Sequence, residues 1–248
     1  MNSQAREPIA TSASDEPALD VARYGPDGPT ERTLRLLGDL KGKRVLELGS
    51  GAGQSAIAFA KQGATAIAVD PTSEQVTRGR RLAEREEVKV EWHESDLAEL
   101  AFLRADSVDL VFSAYAFSAI EDLGRVFRQV HRVLRQHAMF VFSYEHPFAT
   151  CIGRDTDVAP PSASGTQALP LGNLVVRRSY FDEEPLHIGR DDHAVTLHPR
   201  SIGDVFAALG RAGFRVDSIV ETMPDTPASP GTVAIPETIV WRARKEGV

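Results

Sequence analysis

The chain has 248 residues, of which 42% are hydrophobic and 25% charged, and this composition is typical of one globular domain with a substantial core. Its formal net charge of −7 disfavours broad binding to nucleic acid, because no basic stripe is present to neutralise phosphates. The single cysteine excludes an intramolecular disulfide and a cysteine metal cluster, and the absence of an apolar leader or a long apolar run predicts a cytoplasmic protein without membrane contact.

The N-terminal part of the chain predicts a flexible tail followed by a helix. Residues 1–20 are polar and show no sustained period, so we expect a tail ahead of a single domain at 21–248. A turn-rich segment with one aromatic residue, Tyr24, comes next. Thr30 is suited to cap a helix with an apolar face as far as Leu40, which we expect to pack beside the first strand.

The most informative stretch combines a strand, a glycine turn and a helix. The apolar run 43–48 predicts a buried parallel strand, and 54–62 predicts a helix. Glycines occupy alternate positions of the turn between them, at Gly49, Gly51 and Gly53. Such a turn lets the backbone approach a ligand at the helix N-terminus. A dinucleotide fingerprint needs a further glycine where this chain has Gln54, which disfavours an NAD-type oxidoreductase.

Strands and helices alternate after this turn. Strands are predicted at 65–70, 88–92, 107–113 and 139–142, helices at 73–86 and 122–134. The alternation predicts a parallel sheet covered on both faces. A final helix at 201–209, closed by Gly213, precedes two strands, 214–220 and 238–243, that we expect to be antiparallel neighbours.

These features resemble, in order, the motifs of the class I S-adenosylmethionine (SAM)-dependent methyltransferases. Glu47 to Gly53 reads E-x-G-x-G-x-G, Asp70 follows the second strand, Asp96 precedes Leu97, and 109–114 resembles the fourth motif. The resemblance covers most of residues 24–245. It implies an α/β, Rossmann-like, doubly wound fold: a mostly parallel seven-stranded sheet with helices on both faces and an insertion after the fifth strand.

The resemblance also implies SAM as cofactor and S-adenosylhomocysteine as product. Asp70 is expected to bind the ribose hydroxyls, and Asp96 with Leu97 to meet the adenine. Tyr24, Tyr115 and Phe117 are hypothesised to shield the sulfonium or to close the pocket, with plain packing as the alternative. The expected cofactor residues are Tyr24, Glu47, Gly49, Ser50, Gly51, Gly53, Gln54, Asp70, Pro71, Thr72, Gln75, Asp96, Leu97, Ser113, Ala114 and Tyr115.

Residues 147–200 interrupt the regular pattern. A long irregular segment of this kind is typical of a lid, and we expect it to cap the substrate. More narrowly, Glu145-His146-Pro147 resembles the sequence after the fifth strand in a subgroup of small-molecule methyltransferases. The Tyr-Phe-Asp-Glu stretch at 180–183 and His198 fit the same subgroup. This resemblance implies a small-molecule acceptor.

A general base is needed if the acceptor carries a proton, and histidine has the best-matched pKa. His146 is the first candidate, because ligands of open α/β sheets bind beyond the carboxyl ends of strands. Its alternative role is to fix the turn before Pro147. His198 is the second candidate. Asp191-Asp192-His193 is interpreted as a solvated loop, since adjacent side chains point to opposite faces, and no metal is expected.

Several alternatives stay open at this point. The acceptor atom is O, N, S or C. A protein or RNA methyltransferase is one alternative, and a SAM-binding protein with a different reaction, such as cyclisation, is another. A monomer and a homodimer are equally compatible with the sequence.

Overall fold

The computed structural model of the protein describes residues 19–26, 28–154, 174–188, 195–222 and 235–246. The predicted tail up to residue 18, the middle of the insertion at 155–173 and Asp191-Asp192-His193 lie outside them. The elements are α1 (Glu31–Leu34), β1 (Arg44–Leu48), α2 (Gln54–Lys61), β2 (Thr65–Asp70), α3 (Ser73–Arg85), β3 (Val90–Glu94), β4 (Val108–Ala114), a 3₁₀ turn (Phe117–Ala119), α4 (Leu123–Val133), β5 (Leu134–Glu145), α5 (Pro147–Cys151), β6 (Ile152–Arg154), β7 (Leu174–Val176), β8 (Leu186–Ile188), β9 (Val195–Leu197), α6 (Ile202–Arg211), β10 (Phe214–Thr222) and β11 (Thr238–Lys245).

The main sheet has seven strands in the order β10-β11-β5-β4-β1-β2-β3. All neighbours from β3 to β5 pair in parallel, whereas β11 pairs antiparallel with both β5 and β10. The chain runs outward from β1 to β3 and then returns to β4 on the other side of β1. This reversal creates a switch point between β1 and β4, where open α/β sheets bind ligands. The predicted doubly wound, mostly parallel sheet is confirmed.

Apolar side chains cover both faces of the sheet. In β1, Leu46 and Leu48 join a core that includes Phe127 of α4, whereas Val45 joins a second core that includes Phe59 of α2. Successive strand residues point to opposite faces, so one strand supplies both cores. Helices therefore cover both faces, as the alternating pattern predicts.

The first helix is shorter than the sequence predicts. It was expected to reach Leu40, but α1 ends at Leu34 because Arg35 takes a left-handed φ of 52°. The Glu31 carboxylate organises the next residues instead, accepting a hydrogen bond from the Leu37 amide at 2.8 Å. Leu37 and Leu40 are still buried against the face that contains Val45. The predicted packing is confirmed and the predicted helix length is wrong.

The described parts of the 147–200 segment lie outside the main sheet. They comprise α5 and two short antiparallel pairs, β6 with β7 and β8 with β9. The end of β9 is attached to the body of the protein, because the His198 amide donates to the Ser118 carbonyl at 2.7 Å. The segment after β9 therefore lies beside the 3₁₀ turn that follows β4. Within the described residues, no helix combines the length and apolarity needed to cross a membrane.

Candidate cofactor and acceptor site

The glycine turn after β1 has a backbone that only glycine adopts without strain. Gly49, Gly51 and Gly53 have φ values of 68°, 51° and 72°. A Cβ added to Gly49 would lie 2.1 Å from the Ala116 Cβ, so the turn packs directly against the loop after β4. At Gly51 a Cβ would meet nothing within 4 Å. The turn is thus fixed on one side and open on the other.

The ring of Trp92, on β3, explains two glycines at once. A Cβ on Gly53 would lie 2.1 Å from its Cη2 atom, and a Cβ on Gly79 of α3 would lie 2.3 Å from the same atom. The ring therefore occupies the space between the glycine turn and α3. The sequence gives Gly79 no motif, so this requirement emerges only from the three-dimensional packing.

Asp70, expected to bind ribose, lies across the turn at the end of β2. Its Oδ2 accepts from the Gly51 amide at 2.7 Å and its Oδ1 accepts from the Thr72 amide at 2.9 Å. Each carboxylate oxygen retains a second lone pair, so both remain able to accept from a hydroxyl group. The position fits the expected role.

Glu47 lies behind the turn rather than at its open side. Its carboxyl group is buried and accepts from the Ala56 amide, in the first turn of α2, at 2.7 Å. Burial raises its pKa to about 8, and hydrogen bonds from Ala56 and Ser55 offset this only in part. Glu47 was expected to bind cofactor; its contacts make it a residue that holds α2 against β1 and so positions the turn.

Replacing Glu47 with glutamine tests this burial. A carboxyl whose pKa rises from 4.5 to about 8 on folding contributes stability that is complete below 4.5 and is lost as the pH rises towards 8. We expect the free energy of unfolding of the wild type, relative to Glu47→Gln, to fall by at most about 1.4 kcal/mol per pH unit in this window. Denaturant titrations of both proteins from pH 5 to 8 measure it, and a constant difference would contradict the prediction.

The other expected cofactor residues surround the same edge of the sheet. The Ser113 hydroxyl donates to the Leu48 carbonyl at 2.8 Å and joins β4 to β1. Leu97 is buried beside Gly49, and Asp96 is exposed next to it. Gln54, Pro71 and Thr72 are exposed, Gly51, Gln75 and Ala114 are half-buried, and Ser50 is buried.

The two tyrosines proposed to shield the cofactor differ in position. Tyr24 is fully buried, its hydroxyl donates to Glu31 at 2.6 Å, and its ring packs edge-on against Phe112. It packs as a core residue, and its contact with the cofactor stays a prediction. Tyr115 packs against the backbone of Gly25 at the edge of the site, and its hydroxyl hydrogen-bonds with Thr238.

His146, the first candidate for a general base, has both ring nitrogens engaged. Nδ1 accepts from the Phe148 amide at 3.1 Å, which leaves the proton on Nε2, and Nε2 lies 2.9 Å from Oε1 of Glu221. The ring is buried and caps the N-terminus of α5. No lone pair is left to accept a proton from a substrate. These contacts favour the alternative role of fixing the turn before Pro147, and the role of His146 as a base stays a prediction.

The variant His146→Asn separates the two roles. Asparagine is a good N-cap and can accept from the Phe148 amide, but it is not a base. We expect methyl transfer to fall by less than tenfold, whereas loss of a general base costs about 10²- to 10⁴-fold. Steady-state kinetics measures the effect, and His146→Ala, which removes the cap, serves as the comparison for stability. A loss in the larger range in a folded His146→Asn protein would restore the base.

A cavity lies between the 3₁₀ turn, the end of β5 and the segment after β9. His198, the second candidate base, lines it together with two residues that the sequence did not single out, Ser118 and Glu145. The Ser118 hydroxyl donates to Glu145 Oε2, and burial raises the pKa of this carboxyl. From the sequence alone, an acid at the end of a strand cannot be distinguished from a solvent-exposed acid. The burial of Glu145 depends on residues about 30 and 50 positions away.

The geometry of the turn fits SAM. The Gly51 backbone faces open space, a carboxylate at Asp70 faces the turn, and the exposed acid Asp96 follows the next strand. These groups suit the ribose hydroxyls and the adenine amino group of a nucleoside. No set of three His, Cys, Asp or Glu side chains suited to a metal ion occurs among the residues that the structure describes.

Comparisons with known proteins agree with this site. A family model described as a methyltransferase domain matches residues 45–137. A solved SAM-dependent methyltransferase from Mesorhizobium loti has 26% identity and a TM-score of 0.67, covering 85% of this chain and 94% of that one. The magnesium-protoporphyrin O-methyltransferase of Rhodobacter capsulatus is 29% identical over 77% of this chain and 76% of its own length.

Other curated relatives match over a shorter length. The methyltransferase YcgJ of Bacillus subtilis, itself uncharacterised, is 34% identical over 40% of this chain and 39% of its own length. The first three curated relatives are covered over only 39% to 48% of their lengths. The residues that the family model matches contain the glycine turn and the strands around it. Residues 45–137 therefore match a methyltransferase domain, and the chain has the fold of solved SAM-dependent methyltransferases.

Proposed function

We propose that the protein transfers a methyl group from SAM to a small-molecule acceptor bound between the end of β5 and the 147–200 segment. The observation that carries the proposal is the cavity beside the switch point of the sheet. Its lining is mainly apolar with a few polar groups, which is typical of a small-molecule site. The Rhodobacter capsulatus relative, whose acceptor is a porphyrin, supports the same substrate class.

When bound, SAM supplies an electrophilic methyl group on a positively charged sulfur. The glycine turn and Asp70 hold the cofactor at the carboxyl ends of β1 and β2. The apolar cavity walls exclude water from the acceptor, and holding the acceptor in a fixed position favours an in-line approach. Glu145 and His198 face the cavity and are the side chains available to take a proton from the acceptor.

Two experiments test the proposal. Isothermal titration with SAM, S-adenosylhomocysteine and NAD is expected to show binding of the first two only. SAM with a labelled methyl group is then incubated with a panel of small molecules and, separately, with the protein and RNA fractions of a lysate. Label in small molecules supports the proposal. Label confined to protein or RNA would overturn it in favour of a macromolecular acceptor, and SAM consumption without any labelled acceptor would indicate another reaction such as cyclisation.

A further inference from the structure

The acceptor cavity has apolar walls on most sides. The side chains that form them come from the 3₁₀ turn, α4, β5, the segment after β9 and α6. The main ones are Phe117, Leu123, Tyr144, Leu197 and Val205. A ligand in this cavity gives up most of its water, so any charge that it carries must meet an opposite charge on the protein.

The charged groups that face the cavity are Glu145, Arg200 and His198. Arg200 is already committed, because its guanidinium donates to the carbonyls of His198 at 2.9 Å and Glu121 at 2.7 Å, and also to that of Ile120. It fixes the walls of the cavity and has little capacity for a ligand. His198 is half-buried and is attached through its backbone.

Glu145 lacks a positive partner. In the described ranges, no Lys, Arg or His nitrogen forms an ion pair with its carboxylate, and its hydrogen bonds come from neutral donors, the Ser118 hydroxyl and its own backbone amide. A carboxylate removed from water without a counterion is destabilised, which is why burial raises the pKa of this group. Binding of a cation in the cavity would remove that cost.

We propose that the acceptor is an amine that enters the cavity as its ammonium ion, and that Glu145 binds this ion and then takes its proton. The inference rests on the proposed methyl transfer. A hydroxyl acceptor is neutral and would leave the half-buried carboxylate unpaired. Its deprotonated form would add a second negative charge beside Glu145. The inference differs from the oxygen acceptor named for the Rhodobacter capsulatus relative.

The reaction balances without a further reagent. The ammonium nitrogen gives one proton to a Glu145 oxygen and regains its lone pair. That lone pair forms the new bond to the methyl carbon, while the carbon–sulfur electron pair stays on sulfur. The products are a methylated ammonium ion and S-adenosylhomocysteine, and the proton on Glu145 leaves to water. Ser118, which donates to the same carboxylate, is a positioning residue.

Matched pairs of neutral and cationic ligands test the charge preference directly. Benzylamine with benzyl alcohol and phenethylamine with 2-phenylethanol have the same shape and differ in charge at pH 7. We measure their binding to the full chain saturated with S-adenosylhomocysteine, by isothermal titration. The amine of at least one pair is expected to bind at least about tenfold more tightly than its alcohol, as a charge-assisted hydrogen bond requires.

Variants of Glu145 test whether this side chain causes the preference for the amine over the alcohol. Glu145→Gln removes the charge and keeps the shape, so the amine preference is expected to disappear, while Glu145→Asp should retain part of it. Glu121→Gln changes an exposed acid whose backbone carbonyl accepts from Arg200; it is the matched control and should keep the full preference. A preference that survives in Glu145→Gln would overturn the proposal.

The wild-type comparison remains decisive even if Glu145→Gln fails to fold. Amines that bind no better than their alcohols in every pair would overturn the proposal. Binding of S-adenosylhomocysteine is measured first. Failure of the amine proposal can therefore be distinguished from failure of the methyl-transfer proposal. Cofactor binding with methylation of alcohols alone would overturn the amine acceptor and leave methyl transfer intact. Absence of SAM and S-adenosylhomocysteine binding would overturn methyl transfer itself.

Discussion

Replacing Gly49 with alanine is expected to unfold the glycine turn and abolish cofactor binding. The new Cβ would lie 2.1 Å from the Ala116 Cβ, and both atoms are attached to backbone that cannot move without separating β1 from the loop after β4. The residue would also keep a left-handed φ of 68°. Together the overlap and the backbone strain should lower the free energy of unfolding by roughly 3 kcal/mol or more. Denaturant titration and isothermal titration with S-adenosylhomocysteine measure the two effects.

Two glycines provide controls for this variant. Gly38 has a φ of 69°, and a Cβ there would meet nothing within 4 Å, so Gly38→Ala should lose only the left-handed penalty of about 1 kcal/mol. A Cβ at Gly51 would also meet nothing within 4 Å, but it would point to the side of the turn where we place the cofactor. The Gly51→Ala variant should be nearly as stable as Gly38→Ala and should still lose affinity for S-adenosylhomocysteine. Gly49→Ala with the stability of Gly38→Ala would contradict the packing argument.

The fold was predictable because its signals are local. The parallel strands β1, β2 and β4 contain short apolar runs, and α3 and α4 show an apolar face, so the doubly wound sheet follows from the alternation of periods. The positions that carry chemistry at strand ends, such as Asp70, follow from the same alternation. The one wrong helix length arose at Arg35, whose left-handed conformation interrupts an apolar pattern that otherwise continues.

The acceptor side could not be predicted because its properties come from distant contacts. In Glu145-His146-Pro147 the sequence favoured the histidine, whose ordinary pKa suits a base. Only the fold shows that Phe148 and Glu221 occupy both nitrogens of that ring. The adjacent Glu145 is instead enclosed by the 3₁₀ turn and the segment after β9. Tyr24 is a similar case, since its burial depends on Phe112 in a strand about 90 residues later.

Replacing Asp70 with asparagine is expected to reduce affinity for SAM and S-adenosylhomocysteine by about 100-fold. Both carboxylate oxygens accept from backbone amides, Gly51 at 2.7 Å and Thr72 at 2.9 Å. In asparagine an NH₂ group replaces one of these oxygens. The NH₂ group is a donor, so it cannot accept from the backbone amide that it faces, and it cannot accept from a ribose hydroxyl. Loss of two hydrogen bonds to a charged acceptor corresponds to roughly 3 kcal/mol, and hence to this factor.

The control for Asp70→Asn is Asp39→Asn, which changes the same chemical group at a site remote from the turn. Asp39 also accepts a hydrogen bond from a nearby backbone amide, that of Lys41 at 3.0 Å, but it is exposed. The Asp39→Asn variant should bind S-adenosylhomocysteine like the wild type. Loss of a hydrogen bond between an Asp side chain and a backbone amide is then not enough by itself to weaken cofactor binding. Titrations at a temperature where all three proteins are folded decide the question. Wild-type affinity in Asp70→Asn would mean that the ribose is held elsewhere and that Asp70 acts only to fix Gly51 and Thr72.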